Sequence, residues 1–259
     1  MGVSKRTRQK EMKKNLIAVA VLLIFGLTVF SINSIGRFIA DKIIRPVAEF
    51  SGVKTENVST QSVKTKKLEA YLVSFNEYSS LDEANSHRTE AKEQGASGYV
   101  FEMDGKFNII HSIHSEKATA EEIAQDFSSV LTLTLDELSI KITGNKKQVE
   151  AVTNCFNVMT ENALSLTDLT KKLEKGEITA LQTSSKVNAM KNELENKLES
   201  LNTLNSNNVT VKALTDMLSI SNTLLSEMPS SDSSDFSQKL KYVACAYTCE
   251  YFKFYGELE

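Results

Sequence analysis

His111 and His114 stand three residues apart and form the only close pair among the chain's histidines. A zinc site can start from such a pair. In a strand, however, residues three apart point to opposite faces, and no cysteine or helix-spaced ligand lies near them in sequence. The chain has no Gly-x-Ser-x-Gly elbow, no phosphate-binding loop and no His-Glu-x-x-His helix. Its carboxylates are scattered over charged helical stretches, and Glu102, the one acid expected inside a strand, has no partner for acid–base work. These residues point away from an enzyme and call for no metal or cofactor. Cys245 and Cys249 would lie one helical turn apart, about 5–6 Å between Cβ atoms. A disulfide needs roughly 3.5–4.5 Å. The cysteines are therefore expected as buried or idle thiols, with a bridge from Cys155 to one of the others as the alternative. The chemistry the residues do support is recognition by stacking, from Tyr71, Tyr99 and Phe101, with Asn108 as a hydrogen-bonding group and Ile110 beside them.

The elements that must position these residues lie between 67 and 143. Residues 67–75 are apolar and partly alternating, as in a half-buried strand. Ser80 and Glu83 have capping-box spacing, and the helix they open stops at Gly95, the residue type that most easily takes a left-handed conformation. Strands at 99–103 and 106–110 flank Asp104-Gly105, a strong hairpin signal. Thr119 and Glu122 read as a second capping box, opening a helix that carries Ile123, Phe127, Val130 and Leu131; residues 139–143 then close with a strand. Two βαβ halves joined by a hairpin predict one antiparallel sheet with both helices on one face.

A two-residue turn sets Met103 opposite Lys106, Phe101 opposite Asn108 and Tyr99 opposite Ile110. Val100, Phe107 and Ile109, with Leu68, Ala70 and Leu72, are expected to face the helices. Tyr71, Tyr99, Phe101, Asn108 and Ile110 are then expected to face outward. Exposed aromatics with a few polar groups suit sugar rings, whose C–H faces stack while hydroxyls take hydrogen bonds. Stacked RNA bases are the other use of such a sheet, but no cationic frame surrounds this one. The alternative is that the helices further along the chain cover this face as ordinary core.

The order of elements, the Tyr71-Leu-Val-Ser-Phe75 strand end, the Gly95 stop and the Lys106-Phe-Asn-Ile109 strand together resemble a SPOR (sporulation-related repeat) domain. The resemblance covers under a third of the chain. It implies a ferredoxin-like module that binds peptidoglycan glycan strands through the open side of its sheet. By position, Tyr71 falls where the family often has glutamine and Asn108 where it often has arginine. The family's glycines are replaced by Val73 and, near the second position, Ser112.

The setting is consistent with that resemblance. Lys5, Arg6, Arg8, Lys10, Lys13 and Lys14 precede an uncharged run over 15–36 whose core, 16–30, is almost wholly apolar. A bilayer core of about 30 Å needs about 20 helical residues, so this run is expected to be a transmembrane signal anchor. A cleaved signal peptide fits less well, because no small-x-small site follows before Arg37. The cation excess places residues 1–14 in the cytoplasm and the later domains outside the cell. Residues 37–66, rich in Ser, Thr and Lys, read as a linker. A formal charge of -3 in 259 residues, with 24% charged, gives no footprint for nucleic acid.

From residue 146 the apolar period becomes helical. Val149, Val152, Phe156, Met159 and Leu166 mark a first long helix, and Val187, Met190, Leu194 and Leu201 a second. Val211, Leu214, Leu218 and Leu225 mark a third, and Phe236, Leu240, Val243, Tyr247 and Tyr251 a fourth. Short connections favour an antiparallel bundle over 144–259. The expected class is therefore α+β: an N-terminal transmembrane helix, a linker, a ferredoxin-like SPOR-type domain over 67–143 and a C-terminal antiparallel helical bundle. The expected role is binding of peptidoglycan glycan strands at a division or sporulation septum, with division or sporulation proteins as partners of the bundle. The rival is a membrane-tethered protein–protein interaction scaffold that binds no glycan.

Overall fold

The computed structural model describes residues 48–49, 59–127, 129–203 and 209–256. The anchor expected at 15–36 lies outside them; among the described residues no helix is long and apolar enough to cross a membrane. The architecture is α+β, with two sheets followed by four helices. In chain order the elements are β1 (Ala48–Glu49), β2 (Ser59–Lys64), β3 (Leu68–Tyr78), α1 (Leu81–Glu93), β4 (Tyr99–Met103), β5 (Lys106–His114), α2 (Lys117–Ala124), β6 (Ser129–Leu135), β7 (Ser139–Gly144), α3 (Lys146–Glu174), α4 (Ala180–Thr203), α5 (Val209–Ser226) and α6 (Phe236–Gly256).

The larger sheet is antiparallel in the order β4-β5-β3-β6, with the first and third strands of the module in its middle. The hairpin register is the expected one: Tyr99 pairs with Ile110, Phe101 with Asn108 and Met103 with Lys106. Its cause is local. Asp104 and Gly105 both hold positive φ, 53° and 74°, as a two-residue turn matched to the strand twist requires. At α1, Ser80 accepts from the Glu83 amide while the Glu83 carboxylate accepts from Ser79 rather than closing on Ser80. Gly95, at φ 87°, ends the turn that follows α1.

The second half of the module departs from expectation. The helix after β5 starts at Lys117 with Glu116 as its cap, so the Thr119/Glu122 box does not form; instead the Thr119 hydroxyl donates to the Glu116 carboxylate. That helix ends at Ala124, and residues 129–135 form the edge strand β6 rather than more helix. Leu133 and Leu135 are buried while Thr132 and Thr134 are exposed, the period of a strand. The strand expected to close the module, β7, leaves it. It pairs with β2 in a second, three-stranded sheet, Thr60 opposite Thr143 and Lys64 opposite Ser139. Residues 59–64, expected to be linker, are therefore a strand. Val63 and Ile142 of this sheet are buried, and β2 and β7 both pack against α3.

The four helices α3 to α6 form the expected bundle. Consecutive helices are neighbours and α6 returns to α3. Asn145 and Gln148 make a full capping box at the start of α3. One apolar core runs without a break from Leu72, Phe101 and Leu133 in the sheet into Met159, Leu214 and Tyr247 in the bundle. A smaller core, with Ala84, Ala91, Ala96 and Ile109, lies between the sheet and α1.

Candidate functional site

The face expected to be open is covered by α6. Phe101 and Asn108 are each 1% exposed, Ile110 is 0% and Tyr99 is 9%. The Tyr99 hydroxyl donates to the Glu250 carboxylate at 2.5 Å, and its ring meets Tyr242 edge-on at 5.9 Å. Phe101 meets Phe252 at 6.3 Å, with the Lys253 ammonium 5.5 Å from its centroid. Asn108 Oδ1 accepts from the Ser74 hydroxyl at 3.2 Å, so the amide expected to read sugar hydroxyls is turned inward. Burial, with Glu250 beside it, raises the Tyr99 phenol well above its ordinary range, keeping it a neutral donor. This corrects the expectation of an exposed aromatic surface. Tyr71 is not with the others. Leu68, Ala70 and Leu72 share the bundle-facing core with Tyr99 and Phe101, so half-buried Tyr71, one residue off, lies on the opposite side of the sheet.

The histidine pair also departs from expectation, and the cause is a pair of β-bulges. Val73 pairs with Ser112 but Ser74 with Ile110, leaving His111 as an extra residue in β5; Asn76 pairs with Ile109, leaving Phe75 as an extra residue in β3. Phe127, just after α2, touches both, at 5.9 Å from the Phe75 ring and 4.2 Å from the His111 ring. The bulge brings His111 onto the same side as Ser112 and His114. Ser112 Oγ lies 2.9 Å from His111 Nδ1 and 2.8 Å from His114 Nε2. A hydroxyl with one proton can satisfy two imidazoles only if one of the rings donates to it. Burial, Lys241 and His114 depress His111 to about 4, and burial also lowers His114, so both rings are neutral near pH 7. Among the described residues no third metal-ligating side chain joins them.

A polar cleft that the sequence reading did not single out opens between α1 and α6, with a volume of about 350 Å³. Three cations gather on one ring there: Lys239 Nζ is 4.5 Å from the Tyr242 centroid, Arg88 Cζ 5.7 Å and Lys92 Nζ 5.9 Å. Each is fixed differently. Arg88 Nε donates to the Gly98 carbonyl at 2.6 Å. The Lys92 stem lies against Gly98, where a Cβ would sit 2.4 Å from Lys92 Cε. Lys239 pairs with Glu227 at 2.5 Å. The other acid in the lining, Asp235, accepts from the Ser233 hydroxyl. Burial, then Arg88 and Lys239, push the Lys92 ammonium below its ordinary range. The legible signal was two like charges four apart on α1, a spacing that puts Arg88 and Lys92 side by side.

The three cysteines are free and buried; burial pushes the thiols of Cys155 and Cys245 up to about 12 and raises Cys249 as well, so none is poised as a thiolate. No family model, curated protein or solved structure matches the chain.

Proposed function

We propose that this chain is a membrane-tethered scaffold whose sheet module and helical bundle act as one body in binding other proteins. The observation that carries this reading is the seating of α6 on the aromatic side of the sheet, which uses Tyr99, Phe101, Asn108 and Ile110 as internal packing. The tether is the apolar run over 15–36 behind its six cations, which sets the later domains outside the cell. The bundle also carries apolar side chains in water: Leu181 on α4 is 71% exposed and Leu164 on α3 is 43% exposed. A two-hybrid assay in bacterial membranes, with the full chain as bait against division and sporulation proteins, tests it. The scaffold requires a partner whose signal falls in a Leu164→Glu/Leu181→Glu variant that still folds. An array with no partner, or a signal indifferent to both substitutions, sinks it.

A second reading, binding of peptidoglycan glycan strands at a division or sporulation septum, is favoured by the ferredoxin-like strand order. It needs α6 to leave the sheet so that Tyr99, Phe101, Asn108 and Ile110 become available; Tyr71, on the other side, would not join them. Cosedimentation with purified sacculi tests it. Under this reading the wild type sediments, and a Tyr99→Cys/Glu250→Cys variant sediments less once a bifunctional thiol reagent has joined the two cysteines and held α6 in place than it does before cross-linking. No sedimentation of the wild type, or equal sedimentation of the locked variant, removes it.

A further inference from the structure

We propose that the cleft between α1 and α6 binds a small phosphate monoester, with the phosphate held between Arg88 and Lys92. Neither cation has a carboxylate within ion-pair distance among the described residues, whereas Lys239 has Glu227. Arg88 is anchored through Nε alone, which leaves its terminal N–H groups for an oxyanion; that planar fork matches phosphate or carboxylate geometry. The charged form of Lys92 is disfavoured first by burial and then by Arg88 and Lys239, and a bound anion would offset the repulsion from those two cations.

Charge and size select the ligand. Three cations against Glu227 and Asp235 leave the lining net positive. A phosphate monoester's three oxygens can take the Arg88 fork and the Lys92 ammonium together, where a carboxylate's two are used by the fork alone. A volume of about 350 Å³ is near the small end of ligand sites, room for a sugar-sized body rather than a nucleotide. Gly98 is a positioning residue. With φ at 70° and no Cβ, it lets the Lys92 stem lie on the backbone and offers its carbonyl to Arg88.

The test is calorimetric titration of the full chain in non-ionic detergent with glucose 6-phosphate, inorganic phosphate and glucose. Saturable binding of both phosphates, weakened about tenfold or more in Arg88→Gln/Lys92→Gln, is expected, because the lost hydrogen bonds are charge-assisted. Lys92→Arg, which keeps the charge, should stay within about threefold of the wild type, separating loss of charge from loss of fold. Binding should also weaken as salt is raised. The proposal is overturned if glucose binds as tightly as glucose 6-phosphate, if no phosphate binds, or if a folded double variant binds as the wild type does.

Discussion

The two sides of the four-stranded sheet are covered by helices that reach them along very different lengths of chain. On one side, α1 and α2 are the crossovers of the sheet itself: Ala84, Ala91 and Ala96 pack with Ile109 and Tyr78, and Phe75, Val100 and Phe107 lie against them. On the other, α6 arrives from the far side of the bundle, and its Glu250 meets Tyr99 across 151 residues of sequence. There the joint is made by rings from both partners, Tyr99 with Tyr242 and Phe101 with Phe252, beside the buried Asn108–Ser74 pair. Aromatic and hydrogen-bonding residues on a strand thus need not mark a ligand surface. The same composition makes an internal joint when a helix brings complementary rings and a carboxylate.

The comparison can be broken most directly at Phe101. Phe101→Ala removes a ring buried between sheet and bundle and should cost about 3–5 kcal/mol in urea unfolding, with hydrogen exchange rising in both β4 and α6. Ile109→Ala, on the other side, should cost less, about 2–3 kcal/mol, and leave exchange in α6 unchanged. Faster exchange in α6 for both variants would mean the two sides are not separate. Next in size, Tyr99→Phe strips Glu250 of its phenolic donor and leaves it with Lys253 alone. It should destabilise by about 1.5–3 kcal/mol, as for a hydrogen bond to a charged group; an unchanged urea midpoint would show that this bond holds nothing.

A smaller effect is expected on the crossover side as pH falls. His111 is held near 4 in the folded chain, by burial first and then by Lys241 and His114, against an ordinary 6.5. The unfolded chain therefore takes up the proton first, and stability present above pH 6.5 is lost progressively between 6.5 and 4. In His111→Gln the melting temperature should fall less over that interval than in the wild type; parallel curves would exclude His111 as a contributor. The smallest change is expected at Tyr247, whose buried hydroxyl faces Ser221 and Asn162 without closing a hydrogen bond to either. Tyr247→Phe should lie within about 1 kcal/mol of the wild type, on either side, by thermal melting, since only an unmatched polar atom is lost.

Features with a local cause were legible in the sequence. The hairpin register follows from Asp104 and Gly105, and the bundle's helices follow from their apolar period. Leu131, Leu133 and Leu135 alternate with Thr132 and Thr134 as a strand does, but Ile123, Phe127, Val130 and Leu131 fit a helix as well, and the two periods overlapped. The bulges at Phe75 and His111 depend on pairing between strands, which no single strand announces, so the facing of Tyr71 and His114 was out of reach. The cleft was hidden for the same reason, because Arg88 and Lys92 meet Lys239 and Tyr242 only once α6 has docked.

The seating of α6 also bears on the order of events as the chain is made. The strands that carry Tyr99, Phe101 and Ile110 are synthesised well before Phe236–Gly256, so a nascent sheet stands in water with its largest rings bare. Whatever carries the growing polypeptide must shield that patch until the covering segment emerges, and any interruption upstream of Phe236 leaves a sticky intermediate in place of a smaller working protein.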